Sequence, residues 1–153
     1  MSSSKYENMS ALDAIKFVNH KNLLLPDIQR EYVWDFWEIE TLFESIIDGY
    51  PVGSLIFWKT NRTNLNNEKL NLYYFITNFK KGETKNEKAS DVFGEENDYY
   101  IVLDGQQRIT SLNIAFNGSY SYFKGGRGND KKNPKHWLKR SFIIILVITL
   151  LQK

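Results

Sequence analysis

The chain of 153 residues has no cysteine, three prolines and two histidines, and its formal net charge is only +2. Without cysteine there is no disulfide framework and no thiolate metal site, a usage compatible with the reducing cytoplasm, where we expect the protein. A near-neutral balance gives no whole-molecule field that would argue for nucleic acid. Long hydrophobic runs are missing too. The longest, Phe142 to Leu151, has ten residues, about half of the ~20 that span a bilayer as a helix, so no membrane partner is expected. The opening Met1-Ser2-Ser3-Ser4-Lys5 leads into no continuous apolar core of the kind a signal peptide needs.

What is present is enough for one core: 42% hydrophobic and 15% aromatic residues against 25% charged. Ser10 with Asp13 predicts a capped helix through about His20, with Leu12, Ile15, Phe17 and Val18 inward. Asp35 with Glu38 opens a second helix. Its apolar stripe is Ile39, Leu42, Phe43, Ile46 and Ile47, and Gly49 is placed to end it. Ser54 to Trp58 reads as a strand, and Leu70 to Phe79 as a strand pair or one irregular strand. Lys80 to Asp98 is polar and aperiodic, an exposed loop.

The most informative stretch is Tyr99 to Leu112, where an apolar run stops at Asp104-Gly105-Gln106-Gln107-Arg108 and restarts with helical spacing at Ile109, Leu112 and Phe116. Strand, loop and helix in that order form a junction suited to phosphate. Gly105 admits close backbone approach, the first N–H groups of the helix point outward, and Arg108 adds a positive fork. Asp104 at the strand end can hold a metal or a water. A second apolar run breaks similarly at Leu25-Pro26-Asp27-Ile28-Gln29-Arg30, with Pro26 marking the strand's end and Gln29 and Arg30 on the connection. Tyr32 and Trp34 read as core aromatics.

These two segments, with Pro51-Val52-Gly53-Ser54-Leu55-Ile56-Phe57 between them, resemble the N-terminal domain of GmrSD-type, modification-dependent restriction enzymes. The resemblance covers roughly the first 120 residues. It implies a ParB/sulfiredoxin-like fold, and the order of elements along the chain points the same way, to a compact mixed α+β domain with flanking helices and both Gln-Arg turns at one end of the sheet. It also implies a part in restriction and phage defence, with a nucleoside triphosphate and Mg²⁺ as cofactors. Carried over by position, the implied ligand-binding residues are Gln29, Arg30, Asp104, Gly105, Gln106, Gln107 and Arg108, with Gln29, Arg30, Gly105, Gln106 and Arg108 on the nucleotide itself. On the chemistry of the residues we expect Asp104 to be catalytic, binding Mg²⁺ or orienting the attacking water, and Gln106 and Gln107 to position that water or the ribose. DNA is the expected further partner. His20 and His136 cannot build the His-Asn-His nuclease of the family, so cutting would fall to a separate nuclease domain or subunit. The competing reading is a non-catalytic nucleotide or nucleic-acid binding module.

The sequence divides into residues 1–123 as the nucleotide-binding domain, 124–140 as a flexible basic segment, and 141–153 as an apolar strand. The basic segment carries Lys124, Arg127, Lys131, Lys132, Lys135, Lys139 and Arg140 against Asp130. Lys124, Arg127, Lys131 and Lys132, near Tyr120, Tyr122, Phe123 and Trp137, are candidate contacts to a phosphodiester backbone. Because relatives run longer, the tail is consistent with a truncated or frame-shifted product, and an inactive fragment is the third reading beside the two above.

Overall fold

The computed structural model describes residues 10–68, 70–89, 98–126, 128 and 130–142. Arg127 and the apolar tail from residue 143 lie outside the described residues, so the expectations placed on them stay there.

The capping chemistry sets the first helices. Ser10 Oγ accepts from the Asp13 N–H at 3.1 Å and opens α1 (Ala11–Asn19), while the Asp35 N–H donates to Glu38 Oε2 at 2.6 Å and opens α2 (Phe36–Ile47). Ala14 and Ile15 are buried on α1, but Leu12, expected inward, is 56% exposed. The small Ala14, beside Ile15, is what this helix buries instead.

The architecture is α+β, as expected. One sheet has the order β2 (Ile56–Thr60), β5 (Tyr99–Asp104), β1 (Leu23–Pro26), β3 (Leu72–Tyr73), and a second the order β4 (Asn78–Lys80), β6 (Ser119–Phe123), β7 (Trp137–Arg140). β1 and β5 run parallel, with Leu23 opposite Tyr100 and Leu24 opposite Ile101. Their carboxyl ends therefore emerge side by side, and both Gln-Arg turns lie at that end of the sheet.

Helix α4 (Gln106–Asn117) is buried along almost its whole length, and α3 (Arg62–Glu68) connects β2 to β3. Several polar residues of α4 are buried with its apolar ones, and most of these find partners in neighbouring groups. Ser111 meets the Tyr32 hydroxyl at 2.7 Å, and Asn113 Nδ2 donates to the Ile76 carbonyl at 3.0 Å. Phe116 lies at the edge of this core, its ring 5.4 Å from that of Phe43.

Three expectations change. Leu70 to Phe79 forms two strands, but β3 and β4 belong to different sheets. Glu87 to Ala89, expected in an exposed loop, runs beside β3: Ala89 is buried, its N–H donates to the Leu72 carbonyl, and the Tyr74 N–H donates to the Glu87 carbonyl. The basic segment is not uniformly flexible, since Trp137–Arg140 is β7, antiparallel to β6. Trp137 packs on Phe123, and the Lys80 ammonium lies 3.9 Å from the centre of its ring, which gives this charged stretch an apolar anchor. Among the described residues no helix is long and apolar enough to cross a membrane.

Candidate functional site

The strand β5 must reverse into α4 at a single residue. Gly105 does so with φ +94, a conformation that side chains rarely adopt, and a Cβ there would run into Leu55. No side chain caps α4, so the positive end of the helix is left to its surroundings.

The glutamines around this junction bind the two turns together. Gln29 Nε2 donates to the carbonyls of Val102 at 3.4 Å and Leu103 at 3.2 Å, fastening the first turn to the end of β5. Gln106 Nε2 donates to the Arg30 carbonyl. Gln107 Nε2 donates to the Glu31 carbonyl at 3.0 Å, and its Oε1 accepts from the Val33 N–H at 3.0 Å. Residues 31–35 form no regular element, so these side-chain amides replace the strand partner that their backbone lacks. Gln107 was expected to orient a water. Both ends of its amide are engaged by the loop, and it is 7% exposed, so its role in this arrangement is to hold the segment that carries Arg30.

Arg108 ties in the third segment. Nη1 donates to the Val52 carbonyl at 2.7 Å, and Nη2 donates to the Ser54 carbonyl at 2.8 Å and to Asp104 Oδ2 at 3.3 Å. The guanidinium lies over Gly53 and Gly105, where a Cβ on Gly53 would stand 2.7 Å from Nη1. The three segments singled out in the sequence, around residues 29, 53 and 106, therefore meet at the carboxyl edge of β1 and β5.

Beside the first turn is a cavity of about 320 Å³. Gln29, Arg30, Tyr73, Lys85 and Gln106 are among its walls. Two features of it are unspent. Gln106 is 6% exposed and its Oε1 has no hydrogen-bond partner. The Arg30 guanidinium is exposed and has no acidic partner among the described residues. The Asp27 carboxylate near the Tyr73 hydroxyl, with some desolvation, raises that phenol above its ordinary value.

Asp104 sits apart from that cavity at the end of β5, its side chain 63% exposed and one oxygen on Arg108. Among the described residues no group of three carboxylates or histidines converges to hold a metal ion. Lys124, Lys131 and Lys132, the candidate backbone contacts, lie at the β6–β7 hairpin; Lys131 is 5.9 Å from the Phe123 ring. The sequence reading missed the carbonyl cluster of residues 52–54 as the holder of Arg108. Gly53, set between Val52 and Ser54 just before the apolar Leu55-Ile56-Phe57, was its signal.

A model of the GmrSD restriction endonuclease N-terminal domain matches residues 14–147. The chain belongs to that family. It is therefore a member of a group defined by restriction systems, as the resemblance in the two Gln-Arg segments implied. An uncharacterized protein of Methanocaldococcus jannaschii is 29% identical over 110 residues, a stretch that covers 72% of this chain and 17% of that protein. The matched region is thus about a sixth of the length of that relative.

Proposed function

We propose that this GmrSD-family domain binds a nucleoside triphosphate at the carboxyl edge of β1 and β5, hydrolyses it, and so regulates DNA cutting by a nuclease domain or subunit. The observation that carries this reading is the unpartnered Gln106 Oε1, buried at the first residue of α4 beside a cavity rimmed by the unpaired Arg30. A buried acceptor without a donor costs roughly 1–3 kcal/mol, which a ligand N–H or O–H repays on binding. A ribose hydroxyl or a base amine would supply it.

The phosphates would lie toward the uncapped end of α4, where the helix dipole, Arg30 and Arg108 favour negative charge. Arg108 acts there as a fixed charge, because its guanidinium already holds the carbonyls of Val52 and Ser54. Mg²⁺ would be held by Asp104, with phosphate oxygens and water as its remaining ligands, the usual arrangement for this ion with nucleotides. It would neutralise charge developing on the phosphates. Gln29 and Gln107 contribute by fixing the Arg30 turn in register with α4, so that hydrolysis rests on positioning and electrostatics.

A second reading, a nucleotide sensor that does not turn over, is favoured by the engagement of Asp104 with Arg108. Phosphate release separates the two. With Mg²⁺ and each nucleoside triphosphate, an enzyme releases phosphate in proportion to time and protein concentration, and Asp104→Ala abolishes release while binding persists. Release unchanged in Asp104→Ala removes that residue from the mechanism. Saturation without release establishes the sensor.

A further inference from the structure

A second cavity, of about 580 Å³, shares no wall residue with the first. It opens where the first turn of α2 faces the β6–β7 hairpin. Phe36 and Trp37 come from α2, Tyr120, Tyr122 and Phe123 from β6, and Arg140 from β7. Antiparallel pairing puts Tyr120 opposite Arg140 and Tyr122 opposite Leu138, so the rings of Tyr120 and Tyr122 share a face with the Arg140 guanidinium. Arg140 lies 4.4 Å from the centre of the Phe36 ring and 5.9 Å from that of Tyr122.

Trp37 differs from these rings. It is 63% exposed at the rim, with no ring or cation against it among the described residues. An indole held open to solvent beside a concave aromatic wall costs apolar burial and offers a stacking surface. The charges around it favour an anion. Lys81 is paired with Asp35, and Asp35 also accepts from the Tyr120 hydroxyl at 3.1 Å, so that carboxylate is neutralised. Lys132, Lys135 and Lys139 on the hairpin have no acidic partner among the described residues, and Asp130 is spent on the Lys132 N–H at 2.9 Å. Glu40, the remaining acid of the wall, offers an acceptor to a base N–H.

We infer that this cavity takes an unpaired base of single-stranded nucleic acid, stacked on Trp37, while the cations of the β6–β7 hairpin track the adjoining phosphates. Rings interleaved with cations along a groove are the composition of such sites, and a base needs the ring face that a duplex does not present. Trp37, in the first turn of α2, is the residue that carries the stacking.

The test uses the full chain and a fluorescein-labelled oligo-dT of twelve nucleotides, without any mononucleotide, followed by anisotropy and tryptophan quenching at several salt concentrations. Trp37→Ala is expected to weaken binding about tenfold and Trp37→Phe to restore most of it. Arg140→Gln should lower the salt slope by about one, as loss of one phosphate contact does. Arg30→Ala, on the other cavity, should leave this binding within about twofold, so the result stands apart from the nucleotide reading. The exposure of Trp37 keeps its variants folded, which circular dichroism verifies. Failure to bind oligo-dT overturns the inference. So does equal binding of a duplex or of heparin that is indifferent to Trp37→Ala, since that describes a polyanion surface without a base site.

Discussion

Gln107 Oε1 accepts from the Val33 N–H at 3.0 Å, across 74 positions of sequence, and makes a buried helix residue the strand partner of a loop. The companion bond from its Nε2 to the Glu31 carbonyl completes a two-point clamp, the same pattern that a neighbouring backbone would offer. Gln29 and Gln106 act alike toward β5 and Arg30. The polar motif is thus first an assembly device, and the site it builds rests on what that assembly leaves unpaired.

Removing the clamp should therefore cost stability. Gln107→Leu keeps the volume but strands the Val33 N–H and the Glu31 carbonyl, and urea denaturation should show a loss of about 1–3 kcal/mol. Gln107→Glu retains an acceptor for Val33 but sets an oxygen against the Glu31 carbonyl, and should destabilise at least as much at neutral pH. A loss below about 0.5 kcal/mol in both variants would contradict the clamp.

Gly53 and Gly49 give a paired comparison. Both have positive φ, +86 and +77, so alanine at either costs roughly 1–2 kcal/mol of backbone strain. Open space surrounds a Cβ at Gly49, whereas one at Gly53 meets Arg108 Nη1. Gly53→Ala should lose the additional worth of the charge-assisted bonds it displaces, about 1.5–3 kcal/mol. Equal melting temperatures for the two variants would show that Arg108 moves aside freely.

Alkaline pH should expose the buried phenols. Burial raises Tyr32 well above the ordinary tyrosine value, against the opposing Ser111 bond, and burial with the Asp35 charge does the same for Tyr120. Below about pH 10 both hydroxyls stay protonated in folded and unfolded chains alike, and their contribution to stability is intact. As pH rises beyond that, the unfolded chain ionises while the folded one resists, so stability falls. Tyr32→Phe should flatten this decline between about pH 10 and 12. At pH 7 it should itself cost about 1–3 kcal/mol, because Ser111 is left buried without its partner. Parallel alkaline profiles for the two proteins would refute the assignment.

Helices α1 and α2 were legible because their signals are local, a capping residue three positions before an acid and, in α2, an apolar stripe. The convergence of the Gln-Arg turns was legible through the strand breaks at Pro26 and Asp104, once β1 and β5 are parallel neighbours. Helix α4 was only half readable. Its period predicts one buried face, but tertiary packing buries Gln106, Gln107, Thr110, Ser111 and Asn113 as well, and the partners of several are backbone groups tens of residues away. No local pattern encodes such a bond. Strand β7 escaped for a related reason: charge density in residues 124–140 outweighed the one aromatic, Trp137, whose packing on Phe123 anchors it.

Titration of the purified protein with ATP, GTP, CTP and UTP in Mg²⁺, beside Arg30→Ala, tests the central claim most directly. Arg30 makes no side-chain bond among the described residues, so its removal should leave the melting temperature within about a degree while lowering nucleotide affinity about tenfold or more. Saturable heat that disappears in Arg30→Ala is the predicted result. The account is contradicted if no nucleotide binds the native chain, or if Arg30→Ala binds as tightly as the native protein.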